Sequence, residues 1–330
     1  MNGEIIFIGA GGTIGSLGRD PHDILHYHST GNRLSAAEIL NSLPASPVLS
    51  SVEPVEFRNL DSTAVTAKDW RDLAGLCERL AAEKPSLAGI VIGHGTASLE
   101  ETAFCLSLTM KLAIPVVVTG AMRPLNGISS DAARNLVAAI HVARSARSAG
   151  RGVLVVFNDE IHAAREVTKT STSRLDAFRS PDRGPLGEVR GDEAVFYRRS
   201  ERRHMADSEF SVEDIENMPR VDIVYSHAGA DDTAIRAFVD AGAKGIVSAG
   251  FGPGVGTPAE IAGFEWAMAR GVAVVQSSRT GGPALDTEPQ HTMGIVTTDN
   301  LTPQKARILL GLALSKTTDR AQLRRIFETY

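Results

Sequence analysis

The sequence predicts an α/β protein with a large N-terminal domain, built on a doubly wound and mostly parallel sheet, and a smaller C-terminal α/β domain. Three observations support this fold class. Short apolar runs alternate with helical patterns through the first half, a charged and weakly periodic stretch follows, and a second alternation runs to the end. The predicted boundaries are 1–193 for the N-terminal domain, 194–219 for an exposed interdomain linker and 220–330 for the C-terminal domain.

The first element, residues 5–16, reads IIFIGAGGTIGS. Ile5–Ile8 form an apolar run without polar alternation, which is typical of a strand buried on both faces of a parallel sheet. The glycines that follow let the backbone bend, and Thr13 lies just past the carboxyl end of the strand, where open α/β sheets bind substrates. A dinucleotide-binding loop does not fit, because Ile14 stands where its third glycine belongs. These residues alone leave a reactive-threonine loop and a structural turn equally open.

A polar segment, residues 17–33, comes next and has too few apolar residues to be core. It carries Tyr27 near its middle and lies beside the glycine-rich turn. We therefore interpret it as the lid of an active site and call it the lid loop. Ser35 and Glu38 then have the spacing of a capping box, which predicts the start of a helix.

The remaining elements alternate as expected for two α/β domains. In the first half the predicted strands are residues 55–57, 87–92, 115–119 and 152–157, and the predicted helices are 66–84, 99–111 and 131–145. In the second half the predicted strands are 221–225, 245–248 and 272–276, and the predicted helices are 233–241, 259–269, 303–314 and 320–330. The charged segment between the halves, residues 190–220, is interpreted as a solvated connection.

Hydroxyl groups and one lysine follow the predicted strands of the first half. They are Thr13, Ser62, Thr63, Thr96, Ser98 and Lys169. Each is weak evidence alone, because hydroxyl residues are common in turns and a lysine is usually solvated. Their convergence at one edge of the sheet favours an active site. A lysine desolvated in a pocket can act as the base that a hydroxyl needs to become a nucleophile.

Six segments carry a resemblance to a known family. They are GGTIGS around Thr13, HGTASLEETA around Thr96, VTGAMRP at 118–124, VVFNDEIHAAREVTKT at 155–170, SSRTGG at 277–282 and LTPQKAR at 301–307. In this order they resemble the bacterial-type L-asparaginases over nearly the whole chain. The resemblance implies the two-domain asparaginase-like fold, a small-molecule amide as substrate and no cofactor. It also implies self-association as a homodimer or homotetramer, with active sites at the dimer interface.

The matching positions imply roles for individual residues and make the N-terminal domain the catalytic one. Thr13 matches the nucleophile that attacks the side-chain amide carbon, and Tyr27 matches the lid tyrosine that closes over it. Thr96 matches the second catalytic threonine, and Lys169 matches the lysine that activates it. The implied substrate-binding residues are Gly12, Ser62, Thr63, Gly95, Ala97 and Glu288.

Within this set, the resemblance assigns the substrate α-carboxylate to Ser62. It assigns the α-ammonium group to Glu288, supplied by the neighbouring subunit. The implied chemistry is acyl transfer with release of ammonia, and both an acyl-enzyme and a direct attack by water are open. Backbone N–H groups of the two glycine turns are the expected oxyanion donors.

Three positions depart from the family pattern. Ala97 stands where the signature has an aspartate that pairs with the α-ammonium, and Thr63 stands where a longer amide side chain often occurs. Pro253 lies in a C-terminal turn where many members have asparagine. Losing a charge-assisted hydrogen bond to a buried ammonium costs roughly 1.5–3 kcal/mol. Two substrate classes are therefore open: L-asparagine, the family default, and an amide, imide or lactam without a free α-amine.

Other functional classes have less support. A non-catalytic ligand-binding relative is possible because a signature acid is missing, but the retained Thr13, Thr96 and Lys169 argue against it. A subunit of a tRNA-dependent amidotransferase is expected to carry an extra N-terminal domain, whereas here the first strand begins by residue 5. No metal is predicted, because His26, His28 and His94 have no acid or cysteine at ligand spacing.

The composition limits which classes of partner and which cellular location are expected. A formal net charge of −5 gives no reason to expect nucleic acid or an anionic membrane as partner. No apolar run is long enough to span a bilayer. Cys77 and Cys105 fall in helical patterns and are predicted to be buried apolar residues. Because no signal-like segment precedes the first strand, the expected location is the cytoplasm.

Overall fold

The computed structural model describes residues 3–330 and divides the chain into two compact units. The first unit ends at Glu209, and the second runs from Phe210 to Tyr330. Both units consist of strands and helices, and the first is the larger. This architecture confirms the predicted two-domain α/β fold class.

In the first unit, described from residue 3 to residue 209, strands alternate with helices up to Phe157, as the sequence predicts. The strands are β1 (Glu4–Gly11), β2 (Val52–Leu60), β3 (Leu87–Gly93), β4 (Val116–Thr119), β5 (Val153–Phe157), β6 (Glu160–Ala163), β7 (Thr168–Lys169), β8 (Phe178–Arg179), β9 (Gly187–Arg190) and β10 (Glu193–Phe196). The α-helices are α1 (Ala36–Ser42), α2 (Ala67–Glu83), α3 (Leu99–Thr109) and α4 (Ala132–Arg144).

One large sheet organises this unit. Over the described residues its strand order is β10-β9-β6-β5-β4-β3-β1-β2, while β7 pairs only with β8. β1 lies between β2 and β3 and runs parallel to both, and parallel pairing continues through β4 to β5. Because β1, β2 and β3 are parallel neighbours, the loops that follow them meet at the same edge of the sheet.

The central strands form the core of the first unit. Ile5–Ile8 in β1 are completely buried, as the unbroken apolar run predicts, and every residue of β4 and β5 is buried as well. Helix α4 covers one face of the sheet with Leu136, Ile140 and small alanines. Burial on this scale supplies the rigid platform on which the loops at the sheet edge are held.

The helix start predicted at Ser35 is present. The Glu38 backbone N–H donates to Ser35 Oγ at 3.3 Å, and the Ser35 backbone N–H donates to a Glu38 carboxylate oxygen at 2.8 Å. This reciprocal pair satisfies two N–H groups that the first turn of α1 leaves without helical partners. The prediction of a capping box is therefore confirmed.

The structure differs from the prediction after residue 157, where three strands extend the sheet in antiparallel fashion. β6 pairs with β5, β9 with β6, and β10 with β9. Asn158 and Asp159 connect β5 to β6 with φ angles of 50° and 64°. Two successive left-handed residues are the geometry of a tight hairpin turn, and Asn and Asp tolerate it well. The Asn-Asp pair was the available signal for this hairpin.

The second unit carries its own parallel sheet, in the order β11-β12-β13-β14 over the residues described there. Its strands are β11 (Val221–Tyr225), β12 (Gly245–Gly250), β13 (Ala273–Ser278) and β14 (Val296–Thr297). Its α-helices are α5 (Val212–Glu216), α6 (Thr233–Asp240), α7 (Pro258–Met268), α8 (Glu288–Met293), α9 (Pro303–Leu314) and α10 (Arg320–Thr329). Ile235, Ile246 and Phe264 lie at the centre of its core.

The segment 194–219, predicted as an exposed linker, contains regular structure instead. Residues 194–196 belong to β10, and helix α5 begins two residues after Phe210, where the second unit starts. The Arg151 guanidinium, from outside the segment, lies 4.1 Å from the centre of the Phe196 ring, and within the segment the Arg198 guanidinium pairs with the Glu166 carboxylate. Arginine stems cover apolar surface while their charged ends stay solvated, which is why the composition alone suggested a solvated connection.

A search of the helices in the described chain finds none that is both long and apolar enough to cross a membrane.

Candidate active site

A cavity of about 380 Å³ opens in the first unit at the carboxyl ends of β1, β2 and β3. Of the predicted site residues, Gly12, Thr13, Tyr27, Ser62, Thr63, Gly95, Thr96, Ala97 and Lys169 line it. The structure thus brings together predicted residues that lie up to 157 positions apart in the chain, from Gly12 to Lys169. Four further residues line the cavity and were not predicted: His28, Asp61, Met122 and Thr172.

Thr13 begins a tight turn directly after β1. The 3₁₀ turn Thr13–Gly15 is closed by the Ser16 backbone N–H, which donates to the Thr13 carbonyl at 3.0 Å, and by Ser16 Oγ, which donates to the Gly12 carbonyl at 3.0 Å. Thr13 is only 5 % exposed and its Oγ1 lies 2.9 Å from the hydroxyl of Tyr27. The nucleophile candidate is therefore buried, oriented and hydrogen-bonded.

Tyr27 reaches this position from the lid loop. Its ring is buried and stacks at a tilt against His28, with ring centres 4.1 Å apart. Burial raises the pKa of the Tyr27 phenol above its usual value, and the hydrogen bond with Thr13 acts in the opposite direction. The phenol therefore stays protonated at neutral pH, so Tyr27 can donate or relay a proton but does not carry a charge.

The lid loop is fixed to the body of the first unit at both of its ends. Near its start, the Gly18 backbone N–H donates to Asn126 Oδ1 at 2.8 Å, and Asn126 Nδ2 returns a hydrogen bond to the Gly18 carbonyl at 2.9 Å. At its end, Arg33 donates to the Asn59 carbonyl at 3.1 Å and pairs with the Asp61 carboxylate. In this structure the loop holds Tyr27 against Thr13.

Two glycines make the close approach of the strand-end turns possible. Gly12 has φ 88°, and a Cβ built on it would lie 2.2 Å from Gly95 Cα. A Cβ on Gly95 would in turn lie 2.6 Å from Ser62 Oγ. The loops after β1 and β3 are therefore in direct backbone contact, and the Ser62 side chain from the loop after β2 packs against Gly95, a closeness that glycine permits.

We expect Gly12→Ala to lower the free energy of unfolding by about 2–5 kcal/mol, since it combines overpacking with a backbone conformation, φ 88° and ψ −174°, that essentially only glycine adopts. Gly191→Ala is the control for a positive φ without crowding, because Gly191 has φ 64° and no described heavy atom within 4 Å of an added Cβ. Backbone strain alone predicts a loss of about 1–2 kcal/mol for the control. Urea unfolding of both variants measures the difference, and equal losses would contradict the packing argument.

Lys169 meets the second threonine. Its Nζ donates to Thr96 Oγ1 at 2.8 Å, and Thr96 itself is buried. Burial lowers the pKa of the Lys169 ammonium below its usual value, and the nearby Glu100 carboxylate partly offsets that effect. Glu100 also accepts the Lys169 backbone N–H at 3.4 Å. A lysine with a lowered pKa has a larger neutral fraction, which is the form that can accept a proton from a hydroxyl.

The His94 side chain is hydrogen-bonded to the second glycine turn, which follows β3. Its Nδ1 lies 2.8 Å from the Gly95 carbonyl and its Nε2 lies 3.1 Å from Thr102 Oγ1, which accepts the indole N–H of Trp70 at 2.9 Å. Burial lowers the pKa of the His94 imidazole, so the ring is neutral. A carbonyl only accepts, so Nδ1 carries the proton and the Thr102 hydroxyl donates to Nε2. Both ring nitrogens are used inside the protein.

Ser62 ties the ends of β2 and β3 together. The Ala97 backbone N–H donates to Ser62 Oγ at 3.1 Å, and Ser98 Oγ donates to the Ser62 carbonyl at 2.5 Å. Thr63 and Ala97 are both exposed on the cavity wall. Ala97 offers a methyl group where the family resemblance implies a carboxylate, so that part of the wall is uncharged.

Two residues singled out in the sequence lie in the second unit. Glu288 is the first residue of α8 and is exposed, and the Pro253 carbonyl accepts hydrogen bonds from Gln276 Nε2 at 2.9 Å and the Leu285 backbone N–H at 3.0 Å. The role of Glu288 stays a prediction from the resemblance.

The histidines considered as metal ligands are used in other ways. His26 and His28 are exposed on the lid loop, and both ring nitrogens of His94 have partners in the first unit. No group of three or more His, Cys, Asp or Glu side chains that could hold a metal ion occurs among the described residues.

The four residues that sequence reasoning missed sit next to predicted ones. Asp61 precedes Ser62, His28 follows Tyr27, Met122 lies in the VTGAMRP segment and Thr172 comes three residues after Lys169. Proximity to a predicted site residue was the signal for Asp61, His28 and Thr172, and membership of a segment that resembles the family was the signal for Met122. Whether each side chain turns toward the cavity depends on the local turn, which a sequence pattern does not specify.

Comparison with known proteins places both units in one family. Residues 4–202 match the family model "Asparaginase, N-terminal", and residues 220–327 match "Glutaminase/Asparaginase C-terminal domain". "L-asparaginase 2" of Escherichia coli K12 is 38% identical over 330 residues, covering 99% of this chain and 93% of that protein. "Glutaminase-asparaginase" of Pseudomonas fluorescens biotype A is 34% identical, covering 99% of this chain and 90% of that protein.

A solved structure agrees with this placement. The crystal structure of a probable cytoplasmic L-asparaginase from Campylobacter jejuni superposes with a TM-score of 0.93 at 33% identity, and each chain is covered completely. The fold and the cavity define a two-domain α/β protein with paired hydroxyl groups and a lysine at the edge of its larger sheet. The chain belongs to the asparaginase family, as the sequence resemblance predicts.

Proposed function

We propose that this protein is an asparaginase: an amidohydrolase that uses a threonine nucleophile to convert L-asparagine to L-aspartate and ammonia. The observation that carries the proposal is the meeting of Thr13, paired with Tyr27, and Thr96, paired with Lys169, in one cavity. Family membership supports the same activity. The relatives reported above are named asparaginases or glutaminase-asparaginases.

In the first half of the reaction, Thr13 Oγ1 bonds to the side-chain amide carbon of the substrate. The carbon–nitrogen bond then breaks, and ammonia leaves with the proton that the Thr13 hydroxyl gives up. Tyr27 lies 2.9 Å from Oγ1 and is protonated, so it suits the relay of that proton rather than its permanent removal. Backbone N–H groups of the two glycine turns are the proposed oxyanion donors.

In the second half, water attacks the ester carbon, the bond to Thr13 Oγ1 breaks, and the hydroxyl regains its proton as the acid product forms. As Thr96 takes a proton from the attacking water, neutral Lys169 accepts the Thr96 proton, and Lys169 gives a proton back as the Thr13 hydroxyl re-forms, so each group returns to its starting state. In the alternative mechanism the water attacks the amide carbon directly, and Thr96 and Lys169 activate it in the same way. A mass spectrum of the quenched reaction distinguishes the two mechanisms, because only the first adds an acyl group to Thr13.

L-asparagine is the substrate that the comparisons favour. The names of these relatives do not favour the other three hypotheses. Those hypotheses are a substrate without a free α-amine (an amide, imide or lactam), a non-catalytic binding role, and a subunit of an amidotransferase. Ammonia release from L-asparagine, L-glutamine and succinamate, together with the opening of succinimide to succinamate followed by chromatography, tests the choice. We expect the highest kcat/KM for L-asparagine. Hydrolysis confined to succinamate or succinimide would reject it, and neither ammonia nor ring opening with any of the four compounds would indicate a binding protein.

Ala97→Asp should raise kcat/KM for L-asparagine by about 10- to 100-fold, because it restores a charge-assisted hydrogen bond to the α-ammonium worth roughly 1.5–3 kcal/mol. The change should leave kcat/KM for succinamate, which lacks the ammonium, within about twofold. Ala97→Asn is the uncharged control and should produce little gain. Steady-state kinetics on both substrates measures the effect. If the aspartate gives no gain with L-asparagine, Ala97 does not face the ammonium.

Assembly and location complete the proposal. Following the family resemblance, we propose a homodimer or homotetramer in which Glu288 reaches the neighbouring subunit's site; light scattering measures the oligomer. We also propose a cytoplasmic location. The Campylobacter jejuni relative is described as probably cytoplasmic, whereas a Haemophilus influenzae relative at 36% identity is named periplasmic, so fractionation of the source cells decides.

A further inference from the structure

We propose that Asp61 determines specificity by holding the α-ammonium group of the substrate, the function that Ala97 is unable to serve. The inference rests on the proposed asparaginase activity and assigns a binding role to a residue that the family resemblance did not single out. Asp61 is the single carboxylate among the described residues that line the cavity.

The chemistry of an α-amino acid explains why Asp61 is suitably placed to bind the ammonium group. The ammonium and the carboxylate are bonded to the same carbon atom, so a substrate whose carboxylate is bound at Ser62 places its ammonium near the neighbours of Ser62. Asp61 directly follows the last residue of β2 and precedes Ser62, the first residue of the short 3₁₀ turn Ser62–Ala64. The Ala97 backbone N–H donates to Ser62 Oγ, so Asp61 and Ala97 flank the same serine.

The geometry leaves the carboxylate available to a second cation. The Asp61 side chain is 57 % exposed and its Oδ1 pairs with Arg33 Nη2, while the Arg33 side chain is 20 % exposed and also donates to the Asn59 carbonyl. A carboxylate offers about four lone-pair positions, so one guanidinium hydrogen bond does not exhaust it. Arg33 orients Asp61 at the cavity wall, and the substrate ammonium approaches from the cavity side.

Asp61 also joins the lid loop to the end of β2, because Arg33 is the last residue of that loop. If Asp61 only anchors the lid loop, its effect on ligand binding depends on Arg33. If Asp61 binds the ammonium, its effect does not depend on Arg33, so substitutions at the two positions distinguish the two roles. Removing Arg33 leaves the Asp61 charge in place with one less competing cation, whereas Asp61→Asn removes the charge and keeps the shape and an acceptor oxygen for Arg33.

The test compares the binding of the proposed product, L-aspartate, with that of succinate, an analogue that lacks only the ammonium group. Calorimetry of the full-length protein gives both Kd values without requiring catalysis. We expect Asp61→Asn to reduce the preference for L-aspartate over succinate about tenfold. Arg33→Gln should keep or increase that preference, and Asp61→Glu should retain most of it. Thermal unfolding of each variant confirms that the comparison is made on folded protein.

Three outcomes overturn the inference. If Asp61→Asn weakens L-aspartate and succinate equally, the residue only anchors the lid loop. If Asp61→Asn and Arg33→Gln shift the preference in the same direction and amount, Asp61 acts through Arg33. If the preference survives Asp61→Asn and is lost in Glu288→Gln, the ammonium is held by Glu288. Ammonia release from L-asparagine by the wild-type protein is measured separately, so failure of the proposed function is recognised independently of these results.

Discussion

Thr13→Ala is expected to reduce kcat for L-asparagine by at least about 10⁴-fold, because no other group replaces a lost nucleophile. The side chain is small and lies in a turn whose hydrogen bonds come from Ser16 and from the backbone. The substitution therefore removes the reacting oxygen without removing the contacts that shape the turn. Ammonia release under saturating substrate measures kcat, and the thermal unfolding midpoint should stay close to that of the wild type.

Two control variants separate the contribution of the Thr13 hydroxyl to kcat from that of its hydrogen-bond partner Tyr27. Thr13→Ser retains a hydroxyl at the same place and should keep measurable activity, although the missing methyl leaves its rotamer less restricted. Tyr27→Phe removes the partner at 2.9 Å and should lower kcat by about 10²- to 10³-fold, since it removes a proton relay but not the nucleophile. Activity in Thr13→Ala comparable to that of Tyr27→Phe would move the nucleophile assignment to another residue.

The parts of the fold that the sequence predicts well are those with one dominant physical signal. Ile5–Ile8 is an unbroken apolar run, and only a strand covered on both faces buries such a run, so β1 was recognisable without any knowledge of its neighbours. The same argument identified β3, β4 and β5. In contrast, β6, β9 and β10 are four residues long and contain charged residues that face solvent, so each lacks a distinctive pattern of its own.

The candidate site likewise has features that the sequence predicts and features that only the folded structure reveals. The rule that parallel strands present their carboxyl ends at one edge groups Thr13 with Thr96, whereas Lys169 lies in β7, outside the large sheet, and the rule does not fix its place. The contact between Gly12 and Gly95 was not predictable, because it depends on how two turns from distant segments meet. The tautomer of His94 depends on Trp70 and Thr102, and that chain of hydrogen bonds exists only in the folded packing.

Lys169→Met is expected to lower kcat/KM for L-asparagine by about 10²- to 10⁴-fold, the range typical of losing a general base. Methionine has a similar length and suits a partly buried position, so the cavity keeps its volume while Thr96 loses its partner. Lys169→Arg is the matched control. It keeps the positive charge and the ability to donate to Thr96 Oγ1, but a guanidinium does not release a proton in the working pH range. Comparable losses in both variants indicate that the neutral amine, rather than the charge, is required.

The pH dependence provides a second and independent readout of the same role. Burial lowers the pKa of Lys169, so its neutral fraction increases as the pH rises toward that lowered value and then levels off at higher pH. The wild-type kcat/KM should therefore increase with pH and then level off, with the midpoint of the rise below the ordinary pKa of lysine. Lys169→Met should lose this rising limb and show a flat profile. If the rising limb persists in Lys169→Met, another group accepts the proton, and the low activity of that variant then reflects misplacement of Thr96 alone.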